Sequence, residues 1–334
     1  MHRAPGAVCN ARPLKVDFML RTSLVTVFGG SGFVGRHTVR ALAKAGWRIR
    51  VAVRHPHKAF FLLPAGSVGQ IQIVKADITD PEQVAAALVG ADAVVNLPGI
   101  LFQRGHQTFA GVQAEGPGIV AEAARNAGVK TLVHISAIGA DAQSEAKYAR
   151  SKAEGETRLR AAFPTAVILR PSIVFGPEDG FFNLFAGLAR ISPILPLIGG
   201  GKMKFQPVFV GDVANAIRIA LDDTSTRGRT YELGGPNVYT FKEVLETILR
   251  VIDRKRVLLP LPFGLVAFKA FFLQMMPKPL LTPDQVKSLK YDNVAAGPGL
   301  AQLGITPTSV EAEIPAYLWR FRPKGQYQTL AANR

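Results

Sequence analysis

Residues 25 to 35 read VTVFGGSGFVG, an apolar β-branched run that breaks into glycines at 29, 32 and 35 and continues as the helical pattern of Phe33 to Gly46. Of all the features of the chain, this strand-to-helix junction constrains the fold most. Glycines let a backbone approach phosphate oxygens, and a helix N-terminus offers unpaired N–H donors with a favourable dipole. The turn formed by Gly29, Gly30, Ser31, Gly32, Phe33, Val34 and Gly35 is therefore expected to receive a dinucleotide pyrophosphate.

The surrounding pattern agrees. Short apolar strands at Leu24–Phe28, Ile49–Val53, Gln72–Lys75, Ala93–Asn96, Thr131–Ser136 and Ala166–Arg170 alternate with helical stretches near 33–45, 81–89, 107–127 and 147–163. This alternation predicts an α/β chain, a Rossmann-type doubly wound parallel sheet with a smaller C-terminal α+β lobe. Asp80 before Pro81 reads as a helix cap followed by a first-turn proline. Beyond Arg170 the alternation weakens. The Gly/Pro-rich stretch Ser192 to Lys202 reads as a long loop over a cleft. A strand and helix follow near Gln206 to Leu221, then a strand near Thr230 to Leu233 and a helix from Phe241 to Ile252. The expected division is a basic N-terminal extension over 1–22, a dinucleotide-binding core over 23–175, a substrate- or partner-binding lobe over 176–325 that also completes the core, and a tail over 326–334.

The strand Ile49 to Val53 runs into Arg54. NAD-preferring sites commonly place an acid at this strand end for the ribose 2′-hydroxyl, whereas an arginine suits a 2′-phosphate. NADP(H) is accordingly favoured over NAD(H), with Arg54 and Lys58 as the clamp; the alternative is an arginine merely exposed on a loop.

The formal charge of +16 is uneven: residues 1 to 60 carry eleven Lys or Arg against Asp17 alone. Such a balance serves nucleic acid, an anionic membrane surface or an acidic partner. Nothing selects nucleic acid, because no aromatic-interleaved basic stripe accompanies the helical face of Arg36, Arg40 and Lys44. The single cysteine, Cys9, allows no internal disulfide and no metal site, and no metal is expected. Residues 1 to 22 lack the apolar core of a secretory signal.

Residues 257 to 281, VLLPLPFGLVAFKAFFLQMMPKPLL, are the most apolar stretch outside the strands. Their uninterrupted core is shorter than the ~20 residues a bilayer-spanning helix needs. The stretch reads as a buried helix of the smaller lobe, with the alternative of an apolar surface for a membrane protein or lipid interface, edged by Lys269 and Lys278.

Tyr148 and Lys152 form Y-x-x-x-K at the start of a helix, one turn apart on one face. With a nucleotide in place, the lysine ammonium can hold the nicotinamide ribose and lower the tyrosine pKa, so that Tyr148 exchanges a proton with a carbonyl or alcohol. Its position after the strand ending at Ser136 makes this pair much more specific than the bare pattern.

From Leu24 to about Tyr317 the chain resembles the extended short-chain dehydrogenase/reductase superfamily. The matching pieces are GGSGFVG (29–35), KADITD (75–80), NLPG (96–99), HISAIGA (134–140), YARSK (148–152), RPSIVFGP (170–177), FQPVFVGDVANAI (205–217) and YELGGP (231–236). The resemblance implies that Asp77 and Ile78 flank the adenine. It also implies that Asn96, Leu97, Pro98 and Gly99 line the nucleotide, and that Pro171, Ser172 and Ile173 pass near the nicotinamide. HISAIGA with YARSKAEGE, RPSIVFGPED, and the tail from LPLPFG to TPDQVKSL are most similar to the atypical branch that holds the nucleotide-binding accessory subunit of respiratory complex I and its bacterial relatives. That branch implies tightly held NADPH and a partner in complex I or another quinone-linked membrane protein. It further implies a peripheral location, at the inner face of a bacterial cytoplasmic membrane or on the matrix side of the mitochondrial inner membrane.

Two departures bear on catalysis. Active members usually carry a hydroxyl pair where this chain has Ser136-Ala137, and asparagine where it has Gln113. The nucleotide site reads as intact and the substrate-activating site, Ser136, Tyr148 and Lys152, as incomplete. Three functions follow: an accessory or assembly protein with a structural nucleotide; a reductase, dehydrogenase or epimerase acting on an apolar carbonyl compound such as a quinone precursor, sterol or isoprenoid; and a nucleotide-sensing regulator.

Overall fold

A computed structural model describes residues 22–276, 279 and 281–327. The basic extension, Cys9, Lys278 and most of the tail lie outside the described residues.

The first half builds a parallel sheet from β1 (Leu24–Phe28), β2 (Arg48–Val53), β3 (Ile71–Lys75), β4 (Ala93–Asn96), β5 (Thr131–Ile135) and β6 (Val167–Pro171). Between them run α1 (Phe33–Lys44), α2 (Pro81–Leu88), α3 (Gly116–Asn126) and α4 (Lys147–Ala162). Asp80 caps α2 through the N–H groups of Glu82 and Gln83, both at 3.1 Å, and Pro81 opens the helix without losing a bonded donor. The stretch expected to be helical over 107–127 instead begins with a π-turn at Ala110–Glu115 before α3 takes over. Here Gln113 turns its backbone carbonyl against Gly155 of α4, where a Cβ would lie only 2.0 Å away.

In the second half, β7 (Val174–Phe175) pairs with β10 (Val208–Phe209), and β9 (Lys204–Phe205) with β12 (Tyr239–Thr240). The helices are α5 (Phe182–Ile191), α6 (Val210–Asp222), α7 (Phe241–Val251), α8 (Phe263–Leu273) and α9 (Pro283–Ser288). Strand β11 (Thr230–Leu233) returns to the main sheet and pairs with β6, giving the seven-stranded order β11-β6-β5-β4-β1-β2-β3. The order reverses at β1, which carries the glycine turn at its C-terminal end; that is the switch point where an open parallel sheet binds ligands.

The stretch 192–202 is not the loop expected from its composition. Strand β8 (Ile194–Ile198) pairs in parallel with β13 (Val257–Leu261), burying Leu195 and Leu197, and ends in three glycines with left-handed φ, Gly199 to Gly201. A two-stranded ribbon tolerates Pro196 and Pro260, because an edge strand leaves an N–H position unused.

The sheet buries Val25, Val27, Val51 and Val95 against α1 and α6, and Phe28, Val94 and Leu132 against α2, α3 and α4. A separate apolar cluster around Phe175, Phe182, Phe205 and Phe241 holds the second half together. The buried-helix expectation for 257–281 fails for α8: only Val266 and Ala270 are buried, while Leu265, Phe268, Phe271 and Phe272 are exposed. Among the described residues no helix is long and apolar enough to cross a membrane.

Candidate functional site

The glycine turn is built by close approach. Gly29 has φ +74°, accessible to glycine at little cost, and its N–H donates to Ala52 O at 3.0 Å, fastening the turn to β2. A Cβ on Gly35 would sit 2.4 Å from Gly29 O and 2.6 Å from Gly30 Cα, so α1 rests directly on the turn. Gly32 is the N-cap of α1 and makes no side-chain cap, and no acid occupies the first turn. The first N–H groups of α1 are thus open at an uncompensated positive dipole end, beside Ser31, Phe33 and Val34. This arrangement fits a pyrophosphate.

Arg54 follows β2 directly, and Lys58 lies in the 3₁₀ segment Pro56–Ala65; both are exposed. The acidic position after β3 behaves differently. Asp77 Oδ1 accepts from the Thr79 N–H at 3.1 Å and hydroxyl at 2.9 Å, closing its own turn, and Ile78 is buried against Gly116 of α3.

After β4 the chain folds over the glycine turn. A Cβ on Gly29 would meet the Pro98 ring at 3.2 Å, and one on Gly99 would lie 3.3 Å from Lys152 Nζ. Leu97 N–H donates to Phe28 O at 3.2 Å. Asn96, Leu97, Pro98 and Gly99 therefore connect the turn to the buried lysine. Lys152 is 4% exposed and donates to Ile135 O at 3.2 Å. Burial pulls its pKa down to about 8, against the opposing pull of Glu156 one turn on. Glu156 is itself held by Arg170 through two hydrogen bonds, at 2.9 and 2.6 Å.

Tyr148 is partly open to solvent, and burial pushes its phenol up to about 12. Its ring meets Phe109 edge-on, with centroids 6.1 Å apart.

Behind these two lies a set of buried polar atoms with no partner in the protein: Ser136 Oγ, Asn96 Oδ1, His134 Nε2, and both amide atoms of Gln113. Asn96 Nδ2 and His134 Nδ1 are 3.2 Å apart, and burial drives the imidazole down to about 3, so His134 is neutral. Unpaired buried polar atoms are costly, so each of these calls for a partner that the protein itself does not supply. The Pro171–Ile173 segment is more committed. Ser172 Oγ donates to Asn293 Oδ1 at 2.6 Å, and Ile173 N–H to the same oxygen at 3.0 Å. The Ser172 hydroxyl is thus used by the fold.

Sequence reasoning missed Asp284. From α9 its carboxylate accepts the N–H groups of Lys147 at 2.7 Å and Tyr148 at 2.9 Å, capping α4 where Ala146 has no side chain to do so. Nothing local signals this, since T-P-D-Q reads as a helix start in its own right, which Thr282 and Gln285 do form. Beyond Tyr148 opens a cavity of about 680 Å³ lined by Phe102, Phe109, Lys147, Met275, Met276 and Asp284 among others. Among the described residues no group of His, Cys, Asp or Glu could hold a metal ion.

Residues 25–234 match the NAD dependent epimerase/dehydratase family. A mitochondrial NADH dehydrogenase [ubiquinone] 1 alpha subcomplex subunit 9 from Arabidopsis thaliana is 34% identical over 318 residues, covering 90% of this chain and 79% of the relative. A ceramide reductase from Caulobacter vibrioides is 33% identical over 245 residues, covering 72% and 74%. In fold, the chain is similar to an NADPH-dependent quinone oxidoreductase from Escherichia coli solved with NADPH, with TM-score 0.70 at 22% identity, covering 86% of this chain and 97% of that one. The phosphate-ready glycine turn at the sheet's switch point and these matches agree: the chain belongs to the NAD(P)-binding epimerase/dehydratase family of extended short-chain dehydrogenase/reductases, beside the complex I accessory subunits.

Proposed function

We propose that this protein is an NADP(H)-binding accessory or assembly subunit of a complex I-type NADH:ubiquinone oxidoreductase, with the nucleotide as a mainly structural ligand. The observation that carries the reading is a contrast within one site. The phosphate turn offers open N–H groups at the start of α1, whereas the substrate-activating set departs at two positions, Ala137 beside Ser136 and Gln113. The similarity to alpha subcomplex subunit 9 over most of the chain supports the complex I assignment.

In this reading the turn and the start of α1 hold the pyrophosphate, Arg54 and Lys58 the 2′-phosphate, and Lys152 the nicotinamide ribose, within a nucleotide half spanning 23–175. The bound nucleotide would supply a hydride. Residues 176–325 form the partner-facing lobe, whose exposed Phe268, Phe271 and Phe272 flank Lys269 on α8, a composition suited to an anionic membrane surface. A ligand at a hundred times its Kd stabilises a fold by about 2.7 kcal/mol, so retention without turnover is physically sensible.

A second reading, a reductase acting on an apolar carbonyl, is favoured by the shared face of Tyr148 and Lys152 and by the ceramide reductase relative. The test is to purify the protein without added nucleotide, identify what denaturation releases, and expose the holoprotein to quinones and carbonyl lipids. Stoichiometric NADPH that stays reduced supports the structural ligand. Consumption with one substrate class establishes an enzyme, and release of nucleotide on partner binding establishes a sensor.

A further inference from the structure

The cavity beyond Tyr148 has two chemically distinct parts. Phe102, Phe109, Met275 and Met276 supply aromatic and thioether walls, and Lys147, Lys287 and Arg104 supply cations to the same lining. At about 680 Å³ it falls within the ~300–1,000 Å³ typical of small-molecule sites. Methionine-rich walls adapt to flexible apolar ligands. Both lysine side chains are exposed, and neither ammonium pairs with a carboxylate among the described residues. The acid in the wall, Asp284, accepts the N–H groups of Lys147 and Tyr148 and keeps its charge, but forms no ion pair with either ammonium, so the lysines and Arg104 leave the lining net positive. A water-soluble anion would leave the apolar wall wet, and an uncharged hydrocarbon would leave the cations unused.

We infer that this cavity binds one single-chain anionic amphiphile, a long acyl or alkyl chain bearing a carboxylate or phosphate head, with its chain along Phe102, Phe109, Met275 and Met276 and its head at Lys147 and Lys287. Tyr148 is not among the lining residues; Phe109 stands between, with its ring against the phenol. The chain is therefore a ligand beside the nucleotide site and not a substrate at the phenol. The cavity's lining residues Met275 and Met276 follow α8 directly, and α8 itself exposes Leu265, Phe268, Phe271 and Phe272, an apolar surface contiguous in sequence with the cavity wall. The occupied cavity also buttresses Asp284, the cap of the helix that carries Tyr148 and Lys152.

The test uses the full-length protein with its nucleotide and cis-parinaric acid, an eighteen-carbon carboxylate whose fluorescence rises on burial, below its aggregation threshold. One saturable site per chain is expected, displaced by palmitate and by hexadecyl phosphate but not by millimolar inorganic phosphate or by hexadecanol at equal concentration. Lys287→Gln and Met275→Asp, both at exposed positions, are expected to weaken binding at least tenfold each while leaving NADPH content unchanged. Absence of a saturable site, displacement by inorganic phosphate alone, equal displacement by hexadecanol, or wild-type binding in both variants would overturn the inference. The assignment does not depend on complex I: a chain that takes up parinarate yet releases no NADPH on denaturation would refute the nucleotide reading and leave this one standing.

Discussion

Replacing Gly32 by alanine separates the fold of the glycine turn from its use. Gly32 is exposed, has φ −71° and ψ 179°, which any residue adopts, and a Cβ there would touch only Gly29 O, at 3.3 Å. Alanine gains about 0.4–1 kcal/mol from the unfolded chain. The tight 3.3 Å contact and the poorer cap cost a similar amount. The apo protein should therefore keep its denaturation midpoint to within about 1 kcal/mol. The added methyl nevertheless stands at the mouth of α1, where the open N–H groups await phosphate. Displacing one charge-assisted hydrogen bond costs about 1.5–3 kcal/mol, which raises the Kd about 10- to 150-fold. Gly35→Ala makes the opposite case, because contacts of 2.4 and 2.6 Å force the backbone apart. It should lose about 1–3 kcal/mol of apo stability. The assays are urea denaturation of apo protein and NADPH fluorescence titration. Gly32→Ala binding NADPH within twofold of the wild type would refute the reasoning, since the turn would then not face the phosphates.

Arg54→Ala should weaken NADPH by about 1.5–3 kcal/mol and NADH hardly at all; equal weakening in a two-ligand titration removes the 2′-phosphate assignment. Asp284→Ala removes the only side-chain cap on α4 among the described residues and should cost about 1–2 kcal/mol by chemical denaturation, against a loss under 0.3 kcal/mol if the two hydrogen bonds do not matter. His134 accounts for part of the acid limb of stability. The unfolded chain takes up a proton near the ordinary 6.5, while burial first, then the Lys152 charge, holds the folded imidazole down to about 3. Stability therefore falls as pH drops through that window, by up to about 1.4 kcal/mol per pH unit. His134→Gln should flatten that limb between pH 6 and 4 in acid titrations followed by circular dichroism, and an unchanged slope means the imidazole is protonated in the fold.

The nucleotide half was legible because its signals are local. Strands β1 and β4, the α1 start at Phe33 and the Asp80 cap each follow from a few adjacent residues, and their periodicity agrees with their neighbours. What could not be read depends on contacts distant in sequence. Strand β8 looks like a loop until β13 supplies its partner, and α8 looks like core by composition because apolarity alone does not say which face finds a partner. At the site, the motif placed Tyr148 and Lys152 on one helix, but their ionisation is set by the burial each meets in the folded chain. The cap from Asp284 and the unpartnered set of Ser136, Asn96, His134 and Gln113 likewise exist only once separate strands and helices converge.

Tyr148 decides between ligand and chemistry, and its packing makes the outcome of a single deletion predictable. A proton donor or acceptor works best with a pKa near the operating pH. The phenol is raised to about 12, and its hydroxyl has no hydrogen-bond partner among the described residues. Tyr148→Phe keeps the ring that meets Phe109 edge-on and removes only a hydroxyl that no hydrogen bond ties to the fold. Deleting a partly exposed polar group without a protein partner is close to neutral. Apo stability should therefore change by less than about 0.5 kcal/mol, and NADPH should be retained after gel filtration in the wild-type amount. Lys152→Met should behave differently, because it removes the buried ammonium beside Gly99, and nucleotide retention should fall by at least tenfold. If Tyr148→Phe instead abolishes consumption of NADPH by a quinone or carbonyl lipid that the wild type reduces, the phenol donates the proton that accompanies hydride transfer, and the structural-ligand reading fails.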